Sequence, residues 1–405
     1  MVELNLREYQ SSGPYRLSVN DRDALAEGVK VNVAPAPGED NAYILTPGSN
    51  IGAVEIGGLS VLIEPKIGIP QVLSLACYAL GRVKFHAEDF DFRDEYALPD
   101  ALAMALTFQA RRAFARGLPH GYRTEEEALY TVRGRIRFDE QLRRRFGVAL
   151  PVEVRYDEFT EDVLANQLVK AAAYRLGRMH LRAAQARRNL GWLVSLLDNV
   201  SGIEFPANDV PAVQFDRLNE HYRGVVELSR LILRHGAFES GRGQVRASGF
   251  LMNMNVVFQE FVTLALREEL RLSERSFPAE CRGRRVMLDE TERVRLEPDL
   301  SWWDGPTCVF VGDAKYKNLT GHRIPNADLY QMIAYATALD LPGGLLIYAQ
   351  DEAEPREYRV RHSGRRLEVA ALDLAGTLDQ ALNRVRELSE KVMALRDEAL
   401  AGRGR

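Results

Sequence analysis

The sequence predicts a multidomain α+β protein, and three patterns along its 405 residues support this prediction. Short β-branched runs, interrupted by glycine, proline and asparagine, occupy the first 70 or so residues. Helical spacing of apolar residues dominates from about residue 98 to residue 235, and strand-like and helix-like segments alternate after about residue 240. We therefore expect an N-terminal β-rich domain (1–85), a mainly helical middle domain (86–240) and a C-terminal α/β domain that ends in a helix (241–405).

Composition and charge argue against several classes of protein. Hydrophobic residues make up 46% of the chain and charged residues 27%, which is ordinary for a globular protein. Cys77, Cys281 and Cys308 are far apart, so we expect a reducing, cytoplasmic setting rather than a disulfide framework. The charged N-terminus does not resemble a signal peptide, and no apolar stretch reaches the length of a membrane span. The net charge of −4 gives the chain as a whole no general attraction for nucleic acid.

The N-terminal region is predicted to be a set of strands followed by one helix. The runs VKVNVAP, AYILTPG and GAVEIGGLSVLIEPKIG are typical of strands joined by turns, and IPQVLSLACYALGRV has helical spacing. The last strand ends in Glu64-Pro65-Lys66, an acid-x-lysine spacing with no Pro-Asp strand before it. Because proline cannot donate to a strand ladder, we interpret this tripeptide as a strand end, with partner docking as the alternative.

The middle region is predicted to be helical around one arginine-rich segment. LYTVRGRIRFDEQLRRRFG predicts a short strand or hairpin, on which Arg133, Arg135 and Arg137 would form one cationic face. This face is either a solvated surface or a contact for a partner or for DNA phosphates. Asn166 and Lys170 lie one turn apart on a predicted helix, and FESGRGQVRASG (238–249) has the composition of a linker.

The C-terminal region alternates between helical and strand-like spacing of apolar residues. A helix at NVVFQEFVTLALREEL precedes strands at RRVMLDE, VRLEPDLSWW and TCVFVGDAKYK. A second helix, ADLYQMIAYATALD, precedes the strand GGLLIYA, so that strand, helix and strand form a crossover that lays the helix over the sheet. A hairpin at REYRVRHSGRRLEVAALDL and a charged amphipathic helix from about residue 377 complete the chain.

Two carboxylates and a lysine are predicted to meet in this C-terminal region. If a turn at Asp304-Gly305 joins adjacent antiparallel strands, Asp299 lies beside Asp313, and Lys315 shares a face with Asp313. A buried strand that ends in Asp-Ala-Lys requires an explanation, because buried charges are paired or bind metal. One interpretation is a Mg²⁺ site formed by the two carboxylates and the carbonyl group of Ala314, suited to metal-assisted phosphodiester hydrolysis. The other is a salt bridge at the end of a hairpin.

The helix that follows favours the metal site. Gln331 and Tyr335 lie one turn apart, and the crossover would lay their face over the sheet. The pattern PD…DAK followed by QxxxY resembles the PD-(D/E)xK nuclease superfamily. Four segments in this order also resemble the McrC family, the nuclease subunits of modification-dependent McrBC restriction systems: VEIGGLSVLIEPKIG, TEDVLANQLVKAAA, FLMNMNVVFQEFV and EPDL…GDAKYK.

The resemblance implies roles for particular residues. It implies a PD-(D/E)xK nuclease fold in the C-terminal domain, with Asp299, Asp313 and Lys315 catalytic and Mg²⁺ (or Mn²⁺ in its place) as the cofactor. Gln331, Tyr335 and Glu260 would support the site. The sequence departs from the family in its opening helix, where Asn253 and Gln259 stand in place of an expected aspartate and glutamate. Glu260 is rotated by about 100° from Gln259 around a helix, which puts the supply of a helix carboxylate in doubt.

The resemblance also implies a function and a partner. We expect a subunit of a cytoplasmic restriction complex that cleaves double-stranded DNA with a hexameric, McrB-like AAA+ GTPase. The N-terminal and middle regions would dock the motor and stimulate its GTPase, and the absence of a Walker A sequence indicates that this chain does not hydrolyse nucleotide itself. The alternatives are a non-catalytic activator of the motor and a stand-alone RecB-like repair nuclease.

Overall fold

The computed structural model describes residues 2–81, 97–146, 148–236, 247–317, 324–349 and 356–403. These residues form two compact units, Met1–Leu98 with Phe238–Arg405, and Pro99–Ala237. Both units mix helices with sheets, which confirms the multidomain α+β prediction. The expected domain limits near residues 85 and 240 lie outside the described residues, so the three-domain division stays a prediction.

The first unit begins with the predicted β-rich region. Its strands are β1 (Val2–Arg7), β2 (Ser12–Arg16), β3 (Val31–Pro35), β4 (Ala42–Pro47), β5 (Asn50–Ile56) and β6 (Leu59–Glu64). Its helices are α1 (Val19–Asp23), a π-helix (Ala24–Val29) and α2 (Ile69–Gly81). One sheet has the order β2-β4-β3. A shared core, which includes Leu25, Leu45 and Val54, packs between the strands.

The second sheet of this region is completed by a distant segment. Strand β10 (Ala247–Asn253) pairs antiparallel with β5 along its whole length, which gives the order β1-β6-β5-β10. Gly52 permits this close approach, because a Cβ atom at φ +135° would overlap the carbonyl oxygen of Phe250. The linker predicted at 238–249 is therefore wrong at 247–249, and its other residues lie outside the described part of the chain.

The C-terminal part of this unit is built on a five-stranded sheet, β13-β14-β15-β17-β16. These strands are β13 (Leu300–Asp304), β14 (Thr307–Lys315), β15 (Gly343–Ala349), β16 (Arg356–Arg359) and β17 (Arg366–Leu372). A small ladder joins β11 (Val286–Met287) to β12 (Arg295–Leu296). Helices α8 (Met254–Glu269), α9 (Asn326–Ala338) and α10 (Leu378–Arg403) pack against the five-stranded sheet. The predicted crossover is confirmed, because β14 and β15 run parallel with α9 between them in the chain.

The second unit, Pro99–Ala237, contains more strand than the prediction gave. Its helices are α3 (Leu98–Ala113), α4 (Phe138–Arg145), α5 (Leu164–Gly177), α6 (Ala184–Leu196) and α7 (Arg223–His235), with 3₁₀ turns at Phe114–Arg116 and Glu220–Tyr222. A three-stranded sheet, β7-β9-β8, is formed by β7 (Gly121–Leu129), β8 (Arg135–Ile136) and β9 (Val152–Thr160).

The predicted arginine-rich segment in this unit contains a short strand and a helix. Arg135–Ile136 forms β8, which pairs with β9, and the eight residues of α4 begin at Phe138. The charges explain the helix, since acidic residues occupy its first turn and three arginines its last turn, which suits the helix dipole.

The pair at Asn166 and Lys170 has a packing role within this unit. The Lys170 ammonium donates to the carbonyl groups of Leu197, Asp198 and Val200, at 2.9, 3.3 and 2.6 Å, at the end of α6. The amide of Asn166 donates to the carbonyl groups of Pro119 and Glu161. Within the described residues of both units, no helix has the length and apolar character that crossing a membrane requires.

Candidate active site

The predicted antiparallel hairpin between β13 and β14 is present. Its turn lies at Gly305, which adopts φ +58°. Leu300 pairs with Gly312, so Asp299 immediately precedes the ladder and lies beside the end of β14. Its Oδ2 atom accepts a hydrogen bond of 3.1 Å from the main-chain N–H of Ala314. Counted back from the turn alone, Asp299 would lie opposite Gly312. A one-residue register shift between Trp302 and Trp303 places it beside Asp313, so the turn and this bulge together bring the two carboxylates to one place.

The Lys315 ammonium joins the two carboxyl groups. It forms an ion pair with Oδ2 of Asp313 and lies 3.9 Å from Oδ2 of Asp299. The Asp313 side chain is 1% exposed, whereas those of Asp299 and Lys315 are 15% and 17% exposed. The structure thus brings together the three residues that the sequence selected, with one carboxylate buried and the other two groups open to solvent.

Burial and mutual charge shape the electrostatics of this cluster. Burial and the neighbouring Asp313 carboxylate raise the pKa of Asp299 to about 8. Burial alone would lower the pKa of Lys315, but the charges of Asp313 and Asp299 outweigh it and raise that pKa above its usual value. Oδ1 of Asp313 is also buried and receives no hydrogen bond from a donor among the described residues. With both carboxyl groups ionised the cluster would carry more negative charge than the single lysine neutralises, and without a cation Asp299 avoids this by keeping its proton up to about pH 8.

The main chain adds one more oxygen ligand to this edge. In an extended strand the N–H and C=O of one residue point to the same side. Since the N–H of Ala314 points to Asp299, its carbonyl group faces that side as well, where β13 has already ended. Two carboxylates and one carbonyl group are the hard oxygen ligands that Mg²⁺ prefers.

Gln331 and Tyr335 hold the segment that carries Asp299. Gln331 donates a hydrogen bond of 2.8 Å to the Tyr335 hydroxyl, and that hydroxyl donates to the carbonyl group of Glu297 at 3.2 Å. Burial, followed by the charges of Asp313 and Asp299, raises the pKa of Tyr335, so the phenol stays protonated as a donor. Gln331 and Tyr335 therefore lie on one face of α9, as predicted, and together they bind the main chain just before Asp299.

The structure does not bring Glu260 into this cluster. Glu260 is exposed on α8, and the described residues contain no group of three or more His, Cys, Asp or Glu side chains that could hold a metal ion. Its neighbour Gln259 donates a hydrogen bond of 3.4 Å to Glu280, whose N–H donates to the carbonyl group of Asp299. The helix side nearer to the hairpin therefore carries an amide.

Sequence reasoning missed Asp328, in the first turn of α9. This carboxylate is 3% exposed, accepts from the Lys317 ammonium at 2.7 Å and accepts from the Tyr348 hydroxyl at 2.6 Å. Two features of the sequence could have revealed it. Lys317 is a second lysine, two residues beyond Lys315, and Asp328 is an acid at the start of the helix that follows. Asp328 ties the chain after β14 to helix α9.

The predicted arginine contacts lie in the second unit, in a segment that we call the β7–β9 lobe (residues 121–160). Arg133 pairs with Glu158 at 3.4 Å and lies over the ring of Tyr156, and Arg137 pairs with Glu126 at 2.8 Å. Arg135 is exposed and forms no ion pair with a described residue. Two of the three arginines are thus matched by glutamates of the lobe.

Comparisons with known proteins agree with this architecture. The model of the family described as "McrBC 5-methylcytosine restriction system component" matches residues 45–349. The "Type IV methyl-directed restriction enzyme EcoKMcrBC" of Escherichia coli K12 is 21% identical over 318 residues, which cover 73% of this chain and 90% of that protein.

One solved structure gives the same answer for the fold. The refined half-complex from a tetradecameric assembly of Thermococcus gammatolerans McrB AAA+ hexamers with bound McrC matches 96% of this chain and 100% of the compared chain, with a TM-score of 0.59 and 17% identity. The match to the cryo-EM structure of the McrBC complex from the same organism covers 66% of this chain and 88% of that one, with a TM-score of 0.43 and 19% identity. The predicted membership of the McrC family is confirmed, and the chain belongs to the McrBC 5-methylcytosine restriction system component family.

Proposed function

We propose that this chain is the nuclease subunit of a McrBC-like restriction complex and hydrolyses phosphodiester bonds of double-stranded DNA with Mg²⁺. The observation that carries this proposal is the convergence of Asp299, Asp313 and Lys315 at the end of one hairpin. A salt bridge alone would need one carboxylate for one lysine. Here a second carboxyl group is present, and its pKa is raised by burial and by the neighbouring Asp313 carboxylate, so a cation bound at this place would favour its ionised form.

The residues present fit a divalent cation. The Asp299 and Asp313 carboxylates and the Ala314 carbonyl group would hold Mg²⁺ and leave positions for water and a phosphate oxygen. When bound, the ion supplies charge stabilisation at phosphorus and lowers the pKa of a water molecule. The N–H of Ala314 helps to keep the Asp299 carboxyl group in place, because it donates a hydrogen bond to Oδ2 of that group. Mn²⁺ is expected to substitute, since it accepts the same oxygen ligands.

Lys315 is suited to stabilise charge on the phosphoryl group. Its raised pKa keeps the ammonium protonated near neutral pH, so it donates hydrogen bonds and does not accept a proton in this state. A fixed cation next to the reacting phosphate is worth more in a partly buried site than in water. Gln331 and Tyr335 bind the carbonyl group of Glu297, two residues before Asp299. This contact limits the motion of Asp299, one of the proposed metal ligands.

The β7–β9 lobe supports docking to an AAA+ GTPase partner. The solved relative with the higher TM-score is a complex of McrB AAA+ hexamers with bound McrC, which supports such a partner for this chain. The lobe exposes an unusual amount of apolar surface: Tyr122 (80%), Tyr130 (78%), Phe138 (69%), Leu142 (66%), Phe146 (91%) and Phe159 (61%). Exposed apolar patches of this kind mark protein interaction sites.

The arginines of the lobe fit a protein partner better than bare phosphate. Arg133 and Arg137 are already paired with glutamates, so they would add little net charge to DNA binding. Arg135 is the member of the predicted set whose charge is open to a partner's carboxylate or to a phosphate. The first 70 residues were also expected to contact the motor, and we retain this as part of the proposal.

The alternative functions differ in what each site does. A non-catalytic activator needs the lobe but not the Asp-Asp-Lys cluster, and the intact cluster disfavours it. A stand-alone RecB-like nuclease needs the cluster but not the second unit, which spans Pro99–Ala237.

A paired assay with the AAA+ partner present tests the proposal, with DNA nicking and GTP turnover measured on each variant. Asp313→Ala is expected to lower nicking at least about a hundredfold and to leave GTP turnover nearly unchanged. Asp304→Ala, an exposed aspartate at the turn of the same hairpin, is the matched control and should change neither rate.

Each contrary outcome has a distinct meaning. Nicking that survives Asp313→Ala reduces the cluster to a salt bridge and favours the activator. Loss of GTP turnover in folded Asp313→Ala protein contradicts the separation of the two roles. Efficient digestion of DNA by the purified chain without its partner identifies a stand-alone nuclease.

A further inference from the structure

The chain that leaves the candidate active site is held by the N-terminal domain. Tyr316 follows Lys315 directly and is fully buried. Its carbonyl group accepts a hydrogen bond of 2.6 Å from the hydroxyl of Tyr9. The carbonyl group of Lys317 accepts a bond of 3.4 Å from the Lys66 ammonium. Two side chains from the first 70 residues thus bind two consecutive carbonyl groups just beyond the predicted catalytic lysine.

Tyr9 and Lys66 come from one end of one sheet. Strands β1 and β6 run parallel and pair Arg7 with Glu64 at their ends, so the residues that follow emerge at the same edge. The Lys66 ammonium also lies 4.0 Å from the centroid of the Tyr316 ring, close enough for a cation–π contact. The tripeptide Glu64-Pro65-Lys66, interpreted from sequence as a strand end, therefore also presents a cation to the catalytic strand.

Glu8 ties the two binding residues together. It is 1% exposed, and its Oε2 atom accepts a bond of 3.1 Å from the Lys66 N–H and one of 3.4 Å from the Tyr316 hydroxyl. Its own N–H donates to the carbonyl group of Glu64 at 2.9 Å. A buried carboxylate is tolerated when such donors surround it. Glu8, Tyr9 and Lys66 together form what we call the N-terminal clamp.

The sheet itself does not hold this part of the chain. The pairing of β14 with β15 ends at Lys315, which lies opposite Tyr348, and the pairing with β13 ends earlier, at Gly312. Beyond Lys315, the described contacts of the main chain include the two carbonyl groups bound by the clamp. A strand end without ladder partners frays, and a lysine at a fraying end loses its fixed position.

We propose that Glu8, Tyr9 and Lys66 are positioning residues for Lys315, so that the N-terminal β-rich region completes the nuclease site. This inference rests on the proposed nuclease function and adds residues to it. Because reacting groups must be held to within a fraction of an ångström, loosening the clamp lowers the rate of the chemical step more than it lowers DNA affinity.

The test uses the full chain with its AAA+ partner and saturating Mg²⁺. Tyr9→Phe removes one hydroxyl, and Lys66→Met removes the charge but keeps the length of the side chain. Each is expected to lower the kcat of nicking about tenfold, with the KM for DNA and GTP turnover unchanged. Lys66→Arg should restore most of the rate, because a guanidinium keeps both the donor and the cation over the ring. Tyr15→Phe, at a tyrosine packed on the N-terminal core, is the matched control and should behave as wild type.

Hydrogen–deuterium exchange of residues 312–317 gives a readout that does not depend on activity. Exchange there should quicken in Tyr9→Phe and Lys66→Met but not in Tyr15→Phe. If both clamp variants keep the wild-type kcat and the wild-type exchange rate, the inference is wrong. If Lys66→Met does not fold, the result for Tyr9→Phe decides the question. Asp313→Ala in the same series separates the two ideas. If it fails to lower nicking, the nuclease proposal is wrong; if it abolishes nicking while the clamp variants keep the wild-type rate, only the clamp is wrong.

Discussion

Tyr335 donates a hydrogen bond of 3.2 Å from its hydroxyl group to the main-chain carbonyl of Glu297, two residues before Asp299. This bond joins helix α9 to the segment that enters the hairpin. We expect Tyr335→Phe to lower nicking roughly two- to tenfold, since one hydrogen bond contributes about 0.5–1.5 kcal/mol. Steady-state nicking with the partner present measures the effect. Tyr330→Phe, at an exposed tyrosine on the same helix, serves as the control, and an equal loss in both variants contradicts the assigned role.

A divalent cation should stabilise the folded chain through the two carboxylates. In thermal unfolding at pH 8, Mg²⁺ or Mn²⁺ at a hundred times its dissociation constant adds about 2.7 kcal/mol to the free energy of unfolding. Asp313→Asn should remove most of this gain, while Asp304→Asn at the hairpin turn should retain it. Equal stabilisation of both variants by the ion would place the metal elsewhere.

The raised pKa of Asp299 predicts how stability depends on pH in the metal-free chain. The folded state binds this proton up to about pH 8, whereas an unfolded aspartate releases it near pH 3.9. Between these values the folded state holds more protons, so the contribution of Asp299 to the free energy of unfolding falls as pH rises. Asp299→Asn should therefore gain stability relative to wild type from pH 5 to pH 8, measured by denaturant unfolding in EDTA. A pH-independent difference between the two proteins contradicts the assignment.

The apolar surface of the β7–β9 lobe predicts where the motor is contacted. Truncating a side chain that is a binding hot spot at an interface costs about 2 kcal/mol or more, and hot spots cluster near the centre of the contact. We expect the concentration of this chain that half-maximally stimulates GTP turnover to rise at least about tenfold in Phe138→Ser. The thermal stability of the variant should not change. Leu218→Ser, at an equally exposed residue of the same unit outside the lobe, is the control. Full stimulation by Phe138→Ser excludes this part of the lobe from the contact.

The core of the candidate site could be predicted because its geometry is local. The turn at Gly305 makes the two strands neighbours, and the period of two places Lys315 on the face of Asp313. The one-residue shift between Trp302 and Trp303, which aligns Asp299 with Asp313, does not follow from the turn. The spacing of Gln331 and Tyr335 is one helical turn, so their shared face also follows from the sequence. None of these relationships requires knowledge of a distant segment.

The features that the sequence did not reveal arise from distant pairings or competing local signals. Lys66 meets Tyr316 across 250 residues, and no periodic pattern reports such a contact. The alternating arginines predicted a strand, and β8 forms at Arg135–Ile136, but the charges at the two ends of α4 favour a helix over the next residues, 138–145. Glu260 was selected because it is the acid nearest to Gln259, and the helix turns it into solvent.

The pairing of β10 with β5 has a consequence for how the chain is made. Ile56 leaves the ribosome about 190 residues before Ala247, its partner in the ladder, which corresponds to roughly 10–40 s of synthesis. During that interval β5 presents an open edge, and open edges pair readily with other chains. The N-terminal sheet is therefore finished late, when the segment that begins at Ala247 arrives, and a nascent chain that stalls before residue 247 exposes an edge that a second copy can occupy.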